Sequence, residues 1–128
     1  MQVSAAAGLD TLWSQGSYGK SSSVTVMKAS SSGGSVVSGR PLELVYLTMR
    51  GLAEVPRLIL EEAGLPYIGS YHGRESFKLL KPTLPLGRVP VLLDNGEVIA
   101  QSSSIVRFLA RKTGLDGKGD AERAHVDM

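Results

Sequence analysis

The stretch Val89-Pro90-Val91-Leu92-Leu93-Asp94-Asn95-Gly96 constrains the fold more than any other part of the chain. A short apolar run closed by turn residues reads as a buried strand. Asn95-Gly96 then reads as a tight hairpin, because both central positions of a type I′ turn need positive φ. The run from Glu97 to Gln101 supplies the return strand. Pro90 stands where a proline is costly. It donates no ladder hydrogen bond and belongs at an edge, a strand start or a bulge. One explanation is that something other than a neighbouring strand pairs with the backbone here.

The residues before and after this hairpin alternate in period. Leu42 to Leu47 is a short apolar strand. Leu52, Val55, Leu58 and Ile59 fall at helical spacing, with Pro56 tolerated in the first turn and Gly64 placed to end the helix. Residues 66–71 read as a second, weaker strand. Residues 75–81 read as a short helix stopped by Pro82. After the hairpin, the serines at 102–104 open a helix with Ile105, Val106, Phe108 and Leu109 inward and Gly114 at its end. A linker follows, and a further helix begins near Ala121. The order is β-α-β-α-β-β-α. Strands separated by helices imply a parallel unit, and the final pair is antiparallel. This order is that of the thioredoxin fold, an α/β unit with a four-stranded mixed sheet and helices packed on it.

Residues 1–40 are different in kind. They hold eleven serines and six glycines, and a segment of that composition is expected to be disordered. It reads as a disordered extension or a gene-boundary remnant. A mitochondrial or plastid address is the lesser reading, since the segment is serine-rich and acid-poor but has only Arg40 as arginine and no clear amphipathic helix. The chain's net charge of +2 resides there. Residues 41–128 carry eleven basic and eleven acidic side chains, so the ordered part offers no basic face for nucleic acid. The domain reading is a 1–40 extension, a 41–114 thioredoxin-like unit, and 115–128 as a linker with the start of a further helical domain. There is no cysteine, which excludes disulfides, thiolate metal sites and cysteine nucleophiles. His72 and His125 lie far apart without neighbouring ligand patterns, so no metal is expected. No run approaches the ~20 apolar residues of a membrane helix.

Four stretches together resemble the N-terminal domain of the soluble glutathione transferases, most closely the sigma class that includes glutathione-dependent prostaglandin D synthases. They are VYLTMRGLAE at 45–54, KPTLPLGRVPVL at 81–92, IAQSSSIVRFLA at 99–110 and AHVDM at 124–128. The resemblance implies a cis Pro90. The Val89 backbone would then pair with glutathione as an added strand, a mode that draws affinity from main-chain hydrogen bonds. It implies that the Tyr46 hydroxyl donates to the glutathione sulfur. A free thiol titrates near ~8.5 and only the thiolate is strongly nucleophilic. A donor aimed at the sulfur favours the charged form. The substrate brings the thiol, so the chain needs no cysteine. At 101–102 the resemblance implies that Gln101 and Ser102 hold the γ-glutamyl end. A helix N-terminus suits that carboxylate, although capping alone would also explain the serine.

Phe77, Lys81 and Arg88 complete the implied glutathione site, with solvated helix or loop roles as the alternative. Lys81 matches a lysine that meets the glycine carboxylate. Phe77 replaces a frequent tryptophan and lacks its N–H donor. Arg88 replaces glutamine or lysine. Leu52 stands where several relatives place an arginine near the sulfur. Arg50 and Glu54 are expected to hold the strand–helix junction. The implied activity is conjugation of glutathione to a small electrophile, or prostanoid isomerisation. The implied setting is a cytoplasmic homodimer with an all-helical second domain. The chain would then be a fragment, a wrongly ended gene reading or a stand-alone module. The alternative is a non-catalytic glutathione-binding or crystallin-like structural relative.

Overall fold

The computed structural model describes residues 40–128 and the backbone of residues 23–27. Five strands form one sheet in the order β1-β3-β2-β4-β5, where β1 is Ser23–Met27, β2 Leu42–Leu47, β3 Tyr67–His72, β4 Val91–Asp94 and β5 Glu97–Ala100. β2 and β3 are parallel, and the other neighbouring pairs are antiparallel. The helices are α1 (Glu54–Glu62), α2 (Arg74–Leu80), α3 (Ser102–Thr113) and α4 (Gly119–Asp127). A short 3-10 turn, Gly51–Ala53, precedes α1.

The four strands β2 to β5 and their helices are the thioredoxin-like unit that the pattern implies. The period-2 alternation of the central strands creates two cores. Leu44 and Tyr46 of β2 and Leu92 of β4 face α1 and α3, where Leu60, Ile105 and Leu109 meet them. Val45 and the β4 residues Val91 and Leu93 form the other cluster with Leu80 and Leu84. Leu44, Leu60, Leu92, Ile105 and Leu109 are fully buried, and each such side chain contributes ~1.5–3 kcal/mol through burial. The turn at Asn95-Gly96 has φ of 50° and 93°, as a type I′ turn requires.

Within the 1–40 extension, Ser23–Met27 pairs antiparallel with β3, with Ser23 opposite Tyr71 and Met27 opposite Tyr67. Two physical factors account for this pairing. Val24, Thr25 and Val26 are β-branched and favour strand. The outer edge of β3 otherwise presents unpaired backbone groups. The expectations for residues 1–22 and 28–39 lie outside the described residues.

Two local expectations shift. On α1 the buried positions are Pro56 and Leu60, following Ala53, while Leu52, Val55 and Leu58 are exposed. The helix thus covers the sheet with a stripe offset by one residue from the most apolar one. At α3 the residue before the first helical turn is Gln101, not a serine, and no side chain caps the helix. Gly64 and Gly114 end α1 and α3 with positive φ, as expected.

Candidate functional site

The sheet register gathers the candidate residues at one end. Tyr46 is the penultimate residue of β2. Val45 pairs with Val91 at the start of β4, and Val91 pairs with Ala100 at the end of β5. One step beyond these pairs lie Tyr46, Pro90 and Gln101. The Val89-Pro90 bond is cis. Val89 precedes β4 and takes part in none of the ladder pairs among the described residues. Its side chain packs against both cores.

Tyr46 is buried, with a relative exposure of 6%, and its ring belongs to the core beneath α1 and α3. The Leu52 backbone N–H donates to its hydroxyl oxygen at 3.0 Å. A hydroxyl that accepts in this way keeps its own proton for another acceptor. Gly51 explains how the chain comes so close. Its φ is +42°, and a Cβ there would lie 2.3 Å from the Tyr46 hydroxyl oxygen. The loop after β2 therefore passes directly over the phenol, and only glycine permits the approach. The Leu52 side chain is exposed. Its amide meets the phenol through the backbone, without a contribution from the side chain.

Arg57 of α1 holds the loop. Its guanidinium donates to the carbonyl oxygens of Met49 (3.1 Å) and Arg50 (3.2 Å), to Glu54 Oε2 (2.8 Å) and to the Tyr71 hydroxyl (2.9 Å). It lies over the Tyr71 ring at 4.7 Å and 6.0 Å from the Tyr46 ring centre. Burial lowers its proton affinity, but its hydrogen bonds to Tyr71 and Glu54 outweigh this and the net direction is upward. The junction expectation is thus half right. Glu54 takes part, but Arg50 contributes its carbonyl, and the cation is Arg57. A signal was present in the sequence as Glu54-x-x-Arg57, one helical turn apart, which reads as an ordinary surface pair.

Gln101 joins β5 to α3 with φ 72° and ψ 123°. A non-glycine residue in such a conformation costs about 1–3 kcal/mol and is characteristic of functional sites. The Gln101 carbonyl accepts the Ile105 N–H at 3.0 Å, the first bond of α3. The amides of Ser102, Ser103 and Ser104 therefore precede the helical ladder and lie at the end of the sheet that carries Tyr46. Ser102 is half-buried and Gln101 exposed.

The remaining three candidates lie on the other side of Val89. Phe77 of α2 is half-buried and packs, with Val89, against the cluster of Val45, Leu80 and Val91. Lys81, just after α2, is exposed, and its side chain runs beside Gly87, where a Cβ would meet its Cε at 3.6 Å. Arg88 is exposed next to Val89. No hydrogen bond or ion pair among the described residues links Lys81 or Arg88 to Tyr46, Gln101 or Ser102. Phe77 also lines a cavity of about 290 Å³ with Leu47, Thr48, Met49, His72, Gly73 and Arg74. Burial holds the His72 imidazole below its usual 6.5, and its Nδ1 shares a 2.7 Å hydrogen bond with Ser76 Oγ. Among the described residues no cluster of acidic, histidine or cysteine side chains could hold a metal ion. Asp127 is engaged by Arg107 at 2.7 and 3.0 Å, an exposed pair between α3 and α4.

Residues 52–112 match the family described as the N-terminal domain of glutathione S-transferase. Glutathione S-transferase 1 of Ascaris suum is 45% identical over 85 residues, which cover 66% of this chain and 41% of that protein. The hematopoietic prostaglandin D synthase of Gallus gallus is 39% identical over 85 residues, covering 66% of this chain and 43% of that protein. Among solved structures, a Nu-class transferase from Haemonchus contortus superposes with a TM-score of 0.65 at 40% identity, covering 67% of this chain and 42% of the other. The chain thus spans about two fifths of the length of the curated relatives it matches. The matched residues take in the cis Pro90 and the Gln101-Ser102 turn, and residues 52–112 are thus a glutathione S-transferase N-terminal domain.

Proposed function

We propose that this domain binds glutathione across the Val89 backbone and the N-terminus of α3, and that Tyr46 holds the bound thiol as thiolate. The observation that carries this reading is the 3.0 Å bond from the Leu52 amide to the Tyr46 hydroxyl, which leaves the phenolic proton free to donate at the site end of the sheet. Val89 offers backbone groups outside the ladder. Ser102 and its neighbours offer amides and a helix terminus to a carboxylate. Lys81 and Arg88 supply cations for the opposite end of the peptide, and Phe77 shapes its floor. In the whole protein the reaction is attack of the thiolate sulfur on an electrophilic carbon. A new carbon–sulfur bond forms as the carbon's bond to its leaving group breaks; the leaving group departs with that electron pair, and the thiol proton goes to solvent. Similarity to a prostaglandin D synthase supports a sigma-like class with prostanoid isomerisation as the variant reaction. Similarity to a Nu-class enzyme supports simple conjugation. A homodimeric, cytoplasmic whole protein belongs to the same proposal.

Tyr46→Phe tests it. The ring stays packed and one hydroxyl is lost. Hydrogen bonds to charged groups contribute about 1.5–3 kcal/mol, so the thiol of bound glutathione should titrate roughly one to two units higher in the variant. Ultraviolet thiolate absorbance reads the titration, and calorimetry reads affinity, which should change little. An unchanged titration with normal binding removes Tyr46 from the chemistry and favours a non-catalytic binding domain.

A further inference from the structure

Arg57 is the only described residue that ties the loop after β2, the first turn of α1 and the Tyr71 hydroxyl into one network. Its side chain has 17% relative exposure; its bonds to Tyr71 and Glu54 are partly buried, and those to the Met49 and Arg50 carbonyls lie at the surface. The two loop carbonyls it donates to, those of Met49 and Arg50, immediately precede Gly51 and Leu52. These are the residues that cross the Tyr46 phenol. A guanidinium can reach both carbonyls, the carboxylate and the phenol at once because its donors spread in a planar fork. A lysine ammonium brings the charge without the fork.

We propose that Arg57 is the positioning residue of this site: it locks the Met49–Gly51 loop so that the Leu52 amide stays on the Tyr46 hydroxyl and directs that hydroxyl's proton toward the bound thiol. The inference rests on the proposed role of Tyr46. Arg57 does not touch the ligand in this account. It acts by fixing a donor whose bond polarises the next one in the chain, since linked hydrogen bonds strengthen one another by about 10–30%. The cation near the Tyr46 ring is secondary, because the fork and not the charge holds the loop.

The test uses the 128-residue chain and four variants: Arg57→Gln, Arg57→Lys, Tyr46→Phe and the Arg57→Gln/Tyr46→Phe double. The first readout needs no ligand. Amide exchange at Leu52 should accelerate about tenfold in both Arg57 variants, while Leu92 in the central strand stays protected. The second readout is the thiol titration of bound glutathione. Arg57→Gln should shift it upward by about half a unit, less than Tyr46→Phe does. Arg57→Lys should resemble Arg57→Gln rather than the parent. The double variant should shift no further than Tyr46→Phe alone, because both changes interrupt one chain of bonds. Unchanged Leu52 exchange in the Arg57 variants overturns the proposal. So does a lysine variant that titrates like the parent, or a double variant whose shift is the sum of the two. If Tyr46→Phe leaves the titration unmoved, the Tyr46 reading fails and the route to the thiol fails with it. Faster Leu52 exchange would then support the loop clamp alone. Should Arg57→Gln not fold, Arg57→Lys decides by the same two readouts.

Discussion

Gly51→Ala probes the approach of the loop to Tyr46 without altering any functional side chain. Two costs are visible in the structure. The residue has φ +42°, and an L-residue held in left-handed backbone costs about 1–2 kcal/mol. The added Cβ would lie 2.3 Å from the Tyr46 oxygen and 3.1 Å from Cε1 and Cζ, so either ring or loop must move. The ring is anchored in the core with Leu44, Leu60 and Leu92, so the loop yields first. That movement breaks the Leu52–Tyr46 bond, worth about 1 kcal/mol. The sum is about 2–3 kcal/mol. With a urea dependence of roughly 1–3 kcal/mol per molar, the unfolding midpoint should fall by about 0.7–3 M, followed by far-ultraviolet circular dichroism. The glutathione thiol should also titrate higher, since the phenol loses its donor. A midpoint within about 0.2 M of the parent, on the same urea scale, would mean that the loop does not press on the phenol. The steric reasoning would then be wrong.

Two further outcomes can be checked on the same chain. Leu92 is fully buried at the centre of the sheet, so Leu92→Ala should cost about 2–5 kcal/mol in chemical denaturation, with no change in the order of site effects above. His72 is buried and its proton affinity is depressed below 6.5, so the unfolded chain binds a proton that the folded chain refuses. Stability should be whole above about 6.5 and decline as pH falls below it, by at most ~1.4 kcal/mol per pH unit, and His72→Gln should flatten that slope in pH-resolved melts.

The hairpin was legible because its signal is local: Asn95-Gly96 dictates positive φ whatever surrounds it. The order of strands was legible because each apolar run had its own period. The cis bond at Pro90 was reachable only through resemblance, since a proline at a strand start is equally at home in trans. What stayed hidden depends on partners distant in sequence. Val24 and Val26 favour strand, but the edge they join is built from Tyr67–His72, more than forty residues later. On α1 the most apolar stripe and the buried stripe differ by one position, and only docking on the sheet selects Pro56 and Leu60. Tyr46 is singled out in the sequence by its place in the motif, and its role stays a proposal. Its support was not legible, because a backbone amide and a glycine's missing Cβ leave no chemical label in a sequence. Arg57 carries no sequence label beyond its spacing from Glu54, because the loop carbonyls it holds are backbone atoms.

The placement of β1 bears on how the domain can be cut and handled. With Ser23–Met27 in position, the margin of the sheet is a five-residue strand, and the longer β3 behind it is covered. Truncation at Pro41 would preserve every residue assigned to the site and still change the protein's social behaviour. The outer backbone groups of β3, previously satisfied within the chain, would become a template for any extended segment in solution. A boundary chosen ahead of Ser23 keeps that template occupied by the chain itself. The choice between these boundaries decides whether the sheet's outer edge is the short β1 or the longer β3.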